Sequence, residues 1–279
     1  LGLAQHGDQL RLMKAWIRHR RGTAEDIYVA EQVFRELVPR RDYRALLGLA
    51  EALERKGVLY WEAGEAAAGK QPPLRVRELH DKARAAWKES IDYYGRTLDR
   101  KAGEQQALNG LQRVHALRGE LEEALEWSER LLGQCAEEAA FWEKQLERPE
   151  LSAEEEDRLR GLLLQSRDLQ VATHLQASTL LVRLERRAEA LEHVDRALAL
   201  DPEAAATHSR RAQLLHALGR PDEAIASLES YLRLSKEAYD HPDVAHALDL
   251  LSTWKAELEL GVEGASAPPP SAGQAPAGS

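Results

Sequence analysis

The sequence resembles itself at an offset of 34 residues. The tripeptide Ala172-Thr173-His174 recurs as Ala206-Thr207-His208. Further positions align at the same offset: Leu180, Leu181 and Leu184 with Leu214, Leu215 and Leu218, and Glu189-Ala190 with Glu223-Ala224. A period of this length is typical of helix pairs that stack, because one pair cannot bury its apolar face alone. The sequence therefore predicts an all-α solenoid of antiparallel helix pairs.

Composition agrees with a helical protein and argues against one class of partner. The 279 residues include only 2 Phe and 7 Tyr, while Ala, Leu, Glu and Arg are frequent, which favours helices over strands. The formal net charge is -9, and phosphate binding needs a basic surface, so no nucleic acid partner is expected. Basic residues do gather early in the chain, among them Lys14, Arg18, Arg20 and Arg21. We interpret them mainly as solvated helix surface, because acidic residues lie among them.

The sequence does not predict a compartment. Cys135 is the only cysteine, so an intramolecular disulfide and a cysteine-only metal cage are ruled out. No apolar run approaches the ~20 residues of a membrane helix. The sequence begins with Leu1, which leaves open that a signal peptide or lipid anchor has been removed. Cytoplasmic, periplasmic and envelope-associated locations all stay open.

Helix-breaking residues divide the chain. Helical patterns run unusually far on either side of Pro72-Pro73 and of Pro149, which predicts two extended helical hairpins. Ser152 and Glu155 have the spacing of a capping box and mark a helix start. Pro242 begins an expected C-terminal capping helix. The expected domains are an N-terminal helical hairpin (1–41), a degenerate extended repeat-like unit (42–104), repeat-like units with the capping helix (105–260) and a disordered tail rich in Pro, Ala, Gly and Ser (261–279).

Small residues occur at matching positions of two units, 171–204 and 205–238. Ser178 and Ala190 of the first unit match Ala212 and Ala224 of the second, and Ala197 and Gly219 are further small residues, one in each unit. Together with the 34-residue offset, this pattern resembles the tetratricopeptide repeat family, strongly over 171–234, less over 105–136 and weakly before residue 100. The resemblance implies a right-handed superhelix of antiparallel helix pairs that binds proteins, has no catalytic residues and needs no cofactor.

In that family the first helix of each pair lines a concave groove. The residues at the matching positions are Gln106, Asn109, Arg113, Gln176, Thr179, Arg183, Arg210, Gln213 and His216. The resemblance implies that they hold an extended or helical segment of a protein or peptide partner, and the arginines favour an acidic or C-terminal carboxylate ligand. Some family members hold the C-terminal carboxylate of a chaperone with a lysine at the position of Asn109. Because this chain lacks that lysine, a chaperone C-terminus is not expected as its ligand.

A second hypothesis assigns binding to the hairpins. The chain would then be a regulatory or assembly-helper subunit of an enzyme or cell-envelope complex and would dock through the hairpins around Trp61 and Trp142. The sequence predicts neither the partner's identity nor the oligomeric state.

Catalytic and metal sites are not expected. His174 and His208 occupy equivalent positions of neighbouring units, and such positions lie ~8–10 Å apart on packed helices, too far for one zinc ion. We therefore interpret both as packing residues. Cys135 lies among apolar residues, with no cysteine–histidine signature beside it, and is expected to be a buried, unreactive thiol.

Overall fold

The computed structural model describes residues 2–40, 42–235 and 241–260. In this part of the chain it contains eleven α-helices, one short 3₁₀ turn (Val38–Arg40) and no strand. The helices are α1 Gly2–Arg21, α2 Ala24–Leu37, α3 Tyr43–Ala67, α4 Pro73–Arg100, α5 Gln105–Arg118, α6 Leu121–Leu146, α7 Ala153–Arg183, α8 Arg187–Leu200, α9 Ala205–Ala217, α10 Pro221–Leu234 and α11 Pro242–Glu259. The predicted all-α class is confirmed. The expected tail, 261–279, lies outside the described residues.

The chain forms two compact units, Leu1–Ser166 and Arg167–Ser279, and the boundary falls inside α7. In the first unit α1 packs on α2, α2 on α3, α3 on α4, α4 on α5, and α5 on α6. In the second unit α8 packs on α9, α9 on α10, and α10 on α11. Packing in chain order is what a helical solenoid of the expected kind requires. The finer domain boundaries proposed from the sequence stay predictions.

Long helices occur where the sequence predicted extended hairpins. Helices α3 and α4 have 25 and 28 residues, and α6 and α7 have 26 and 31 residues. The start of α7 has the expected capping box, since the backbone N–H of Glu155 donates to Ser152 Oγ at 3.3 Å and that of Ser152 donates to Glu155 Oε2 at 3.1 Å. These bonds satisfy N–H groups that the helix itself leaves without partners.

Left-handed residues form two of the turns between paired helices in the second unit. Gly219 follows α9 with φ 72°, and Glu185 follows α7 with φ 62°. The two positions are equivalent in the repeat, so the same turn is built once with glycine and once with a residue for which this conformation costs roughly 1 kcal/mol. The helix-pair geometry is therefore retained where its preferred residue is missing.

Small residues allow the helices of the first unit to approach closely. A Cβ atom on Gly57 would lie 2.3 Å from Trp87 Nε1, and one on Gly110 would lie 2.1 Å from Tyr94 Cζ. Trp87 also donates from Nε1 to the carbonyl of Glu54 at 3.2 Å, and Ser90 Oγ donates to the carbonyl of Ala50 at 2.7 Å. The aromatic rings of α4 thus lie directly on the backbones of α3 and α5.

Five of the six small residues that define the two repeats are buried, and the sixth, Gly219, is exposed in the turn after α9. Ser178, Ala190, Ala197, Ala212 and Ala224 are all 0% exposed. Each lies among larger apolar side chains, such as Leu181, Leu215 and Leu228, which are 1% exposed or less. The alignment of the two repeats is therefore correct at these buried small residues, where the helices cross each other; we call them the crossing residues.

Candidate partner-binding surface

Six of the nine predicted groove residues belong to the second unit. Gln176, Thr179 and Arg183 are three and four residues apart on α7, a spacing that places them on one face of the helix. Arg210, Gln213 and His216 are three residues apart on α9. Thr179, Arg183 and Gln213 are exposed, and the other three are partly buried. We call the surface formed by Gln176, Thr179, Arg183, Arg210 and Gln213 the α7–α9 face.

Arg210 joins the two helices of this face. Its Nη2 donates to Thr179 Oγ1 at 2.6 Å, and its Nε donates to Ser178 Oγ at 3.3 Å. Thr179 Oγ1 in turn donates to the carbonyl of Leu175 at 2.9 Å. The guanidinium is therefore held in place by hydroxyl groups of α7.

The positive charge of Arg210 has no carboxylate beside it within the described residues. Burial alone lowers its pKa below the ordinary value for arginine, with no acidic group to oppose the effect. The neighbouring Arg211 differs, because its Nε donates to Asp195 Oδ1 at 2.6 Å. A partly desolvated guanidinium bonded only to neutral oxygens retains the capacity to bind an anion.

Arg183 adds a second cation to the α7–α9 face. Its side chain is exposed, and within the part of the chain that the structure describes it makes no hydrogen bond or ion pair. Gln176 and Gln213 place two amides on the same face, each able to donate and to accept. The face can therefore contact both a carboxylate and the backbone of an extended peptide.

His216 is covered by the last helix. Its ring stacks on Trp254 of α11 at a centroid distance of 4.3 Å and an interplanar angle of 12°. Its Nε2 lies 3.3 Å from Glu257 Oε2, and only 12% of its side chain is exposed. The predicted groove position at His216 is thus occupied by α11, which packs there as the expected capping helix.

The remaining three predicted residues, Gln106, Asn109 and Arg113, lie on α5 of the first unit. Gln106 is exposed and Asn109 is partly buried. Arg113 forms a bidentate ion pair with Glu54 of α3, from Nε to Oε1 at 2.7 Å and from Nη2 to Oε2 at 2.9 Å. A guanidinium already paired in this way is less available to a ligand carboxylate.

Glu54 also binds a buried tyrosine. The hydroxyl of Tyr94, which is 0% exposed, donates to Glu54 Oε2 at 2.6 Å. Burial, and then the Glu54 charge, raise the pKa of Tyr94 well above its ordinary value. Burial acts to lower the pKa of Arg113, because it disfavours the charged form. The charge of Glu54 and its hydrogen bonds together have a larger, opposite effect, so the pKa of Arg113 is raised. We call Glu54, Tyr94 and Arg113 the α3–α5 network.

Sequence reasoning did not find the partners of Arg113 and His216. Glu54 carried one usable signal, since it lies four residues after Ala50 and three before Gly57 on the helix face that the repeat pattern buries, and a buried carboxylate needs a partner. Nothing in the sequence indicated which cation it would be, because the residues in contact are 59 positions apart. Likewise, nothing in the sequence names Trp254 as the residue that stacks on His216, 38 positions before it.

Metal binding finds no support. Within the described residues, no group of three or more His, Cys, Asp or Glu side chains is arranged to hold a metal ion. His174 contacts His193 of α8, with 3.0 Å between their Nδ1 atoms, and His208 Nε2 lies 2.9 Å from the carbonyl of Pro202. In the same described ranges, no helix combines the length and apolar character that crossing a membrane demands.

Comparison with known proteins agrees with the repeat assignment. The family model for the tetratricopeptide repeat matches residues 175–239. A search of curated proteins found no match.

Solved structures of similar proteins include PilF of Pseudomonas aeruginosa, which is 12% identical, with 94% of each chain covered and a TM-score of 0.48. YrrB, described as a TPR protein with an unusual peptide-binding site, is 16% identical, with 73% of this chain and 78% of YrrB covered and a TM-score of 0.42. MamA is 12% identical, with 65% of this chain and 94% of MamA covered and a TM-score of 0.40. Identities and TM-scores this low do not transfer binding residues from those proteins to this chain.

Proposed function

The chain carries tetratricopeptide repeats over residues 175–239, and on that premise we propose that it is a non-catalytic protein-interaction scaffold whose α7–α9 face binds a segment of a partner protein. Proteins built from these repeats generally act as scaffolds for other proteins. The observation that carries the proposal is Arg210, a partly buried guanidinium held by two hydroxyls with no carboxylate beside it in the described residues.

The ligand we propose is an extended peptide segment with a carboxylate, from an acidic side chain or a C-terminus. Charge-assisted hydrogen bonds from a guanidinium to a carboxylate are directional and about twice as strong as neutral ones. Arg210 is already oriented by Thr179 and Ser178, so less conformational entropy is lost when it binds. Gln176 and Gln213 would pair with the peptide backbone on either side.

The test is a selection from a displayed library of random peptides, followed by titration of the selected peptides. We expect acidic residues or free C-termini to be enriched. The Arg183→Ala, Arg210→Ala double variant should bind the selected peptides at least about tenfold more weakly, and the loss should shrink as salt increases.

A matched control removes the same charge from the second helices of the pairs. Arg187 on α8 and Arg233 on α10 are both exposed, so Arg187→Ala, Arg233→Ala should retain affinity. Equal affinity of the wild type and the Arg183→Ala, Arg210→Ala variant, with unchanged helical circular dichroism, would refute the proposed face.

A second candidate is docking through the hairpin of α6 and α7, as a regulatory or assembly-helper subunit. It is favoured by Phe141 near the end of α6, which is 51% exposed. Its ring packs edge to face on that of Trp142, with 4.7 Å between the ring centroids. Aromatic side chains with exposed area are frequent anchors of protein interfaces. If Phe141→Ser abolishes partner capture and the arginine variant does not, the hairpin is the docking surface.

A further inference from the structure

Helix α1 has an apolar stripe on its outer side. Leu10, Met13 and Ile17 are 53%, 63% and 54% exposed, and their spacing of three and four residues aligns them on one face. Leu12, Ala15 and His19, on other faces of α1, are buried at 6%, 1% and 6% exposure. We call Leu10, Met13 and Ile17 the α1 stripe. It is the apolar face that α1 does not use in its own fold.

Single exposed apolar residues are ordinary on protein surfaces, but an aligned set is not. Within the described residues, no other helix has three large apolar side chains with exposure as high as that of the α1 stripe. Packing with α2 and α3 does not explain the stripe, because those contacts are made by the buried residues of α1.

Exposed basic residues flank the stripe. Lys14 and Arg18 lie along one side of it, Arg20 on the other, and Arg21 at its C-terminal end, and none of the four makes a hydrogen bond or ion pair in the described part of the chain. Arg11 differs, because it pairs with Glu36 of α2. The helix dipole favours cations in the last turn, which accounts for Arg20 and Arg21. It accounts for neither Lys14 nor the stripe.

The shape of the stripe favours a helix as its occupant. At 3.6 residues per turn, Leu10, Met13 and Ile17 span roughly 60° of the helix circumference, narrower than the ~100° of a face that packs on a broad apolar surface. The three-and-four spacing is that of the a and d positions of a coiled coil, in which one helix contacts one partner helix. A lipid bilayer is a broad apolar surface, so a helix that inserted this narrow stripe would also bring the flanking basic side chains towards the hydrocarbon.

The charge selects the kind of helix. Two copies of this chain joined through their stripes would bring eight uncompensated cations together, four from each α1, which opposes self-association. Acidic side chains flanking the apolar residues of a partner helix would neutralise Lys14, Arg18, Arg20 and Arg21. We propose that the α1 stripe docks an amphipathic helix with acidic flanks from a partner protein. This surface lies in the first unit and is separate from the α7–α9 face.

The probe is a synthetic peptide of three heptads with Leu at positions a and d and Glu at positions e and g, whose own charges oppose its self-association. A control peptide has Lys in place of Glu. Binding to the purified chain is followed by fluorescence anisotropy. We expect the Glu peptide to bind, the Lys peptide to bind at least about tenfold more weakly, and the preference to fall with increasing salt.

Three variants test the residues. Met13→Ser, Ile17→Ser should weaken the Glu peptide at least about tenfold. Tyr28→Ser, Leu74→Ser removes apolar side chains that are 57% and 70% exposed elsewhere and should bind normally. Lys14→Glu, Arg18→Glu leaves Arg20 and Arg21 opposed by two carboxylates, so in this variant the preference for the Glu peptide over the Lys peptide should be lost. Circular dichroism checks that each variant folds, as expected for exposed positions.

Other outcomes overturn the proposal. No binding of the Glu peptide, or equal binding of both peptides, would do so. Cosedimentation with vesicles of phosphatidylcholine and phosphatidylserine that is lost in Met13→Ser, Ile17→Ser would identify a membrane surface as the occupant. A dimer seen by analytical ultracentrifugation and lost in the same variant would identify a second copy of this chain.

Discussion

His174 and His193 contact each other between α7 and α8, with 3.0 Å between their Nδ1 atoms and exposures of 8% and 6%. Only one of the two facing nitrogens can carry a hydrogen in this contact. Burial, then the charge of His193, then that of Arg196 lower the pKa of His174 from 6.5 to about 4. The fold therefore holds His174 neutral.

This pair predicts a loss of stability in mild acid. The pKa of His174 is lower in the folded than in the unfolded chain, so its contribution is complete above pH 6.5 and is lost as the pH falls towards about 4. The free energy of unfolding should decrease by at most about 1.4 kcal/mol per pH unit from this group. Melting curves between pH 7 and pH 5 measure the slope.

The equivalent histidine supplies the control for that prediction. His174→Phe keeps an aromatic ring and removes the titrating group, so its melting temperature should depend less on pH than that of the wild type. His208 is partly buried and contacts a carbonyl rather than a second imidazole, so His208→Phe should keep the wild-type slope. If His174→Phe has the same slope as the wild type, other groups cause the acid sensitivity.

The crossing residues of the repeats predict the cost of overpacking. Ala190 and Ala224 are 0% exposed, so Ala190→Leu or Ala224→Leu should lower the free energy of unfolding by roughly 1–3 kcal/mol, because the added atoms force the helices apart. Ala199 on α8 and Ala226 on α10 are exposed, and leucine there should change stability by less than about 0.5 kcal/mol. Urea denaturation measures all four variants. Equal effects at buried and exposed positions would contradict this packing.

The α3–α5 network predicts a distinct loss of stability in the first unit. Glu54→Gln removes the charge that faces Arg113 and leaves a weaker acceptor for the Tyr94 hydroxyl, so the free energy of unfolding should fall by roughly 1–3 kcal/mol. Glu62 is exposed on the same helix and makes no hydrogen bond or ion pair among the described residues. Glu62→Gln should therefore be neutral. A neutral effect of Glu54→Gln in urea denaturation would show that the network contributes little.

Local rules predicted much of the fold. Pro72-Pro73, Pro149 and the capping box of Ser152 and Glu155 each mark a helix boundary through backbone chemistry close in sequence, and the structure has boundaries there. The burial of Ala190 and Ala224 followed from the repeat, because two aligned copies reveal which positions stay small. Both kinds of signal are contained in short stretches of sequence.

Contacts between distant residues were not predictable in the same way. The pairing of Glu54 with Arg113 and the stacking of Trp254 on His216 depend on how helices pack, and the period of a helix indicates a face without naming its neighbour. The basic residues of α1 were interpreted as solvated surface because acidic residues lie among them in sequence. In the structure Arg11 is compensated by Glu36, whereas Lys14 and Arg18 are not. Acidic residues that are close in sequence therefore do not show which basic side chains have an acidic partner in the folded protein.

The buried thiol of Cys135 makes local unfolding around α6 measurable by chemical labelling. The side chain is 0% exposed, and burial raises its pKa to about 12, so a reagent that attacks thiolates reacts only when α6 separates from its neighbours. Because the sequence contains no second cysteine, every labelled molecule reports one event at one place. The rate of labelling then measures how often this part of the helical stack opens locally, without any engineered probe.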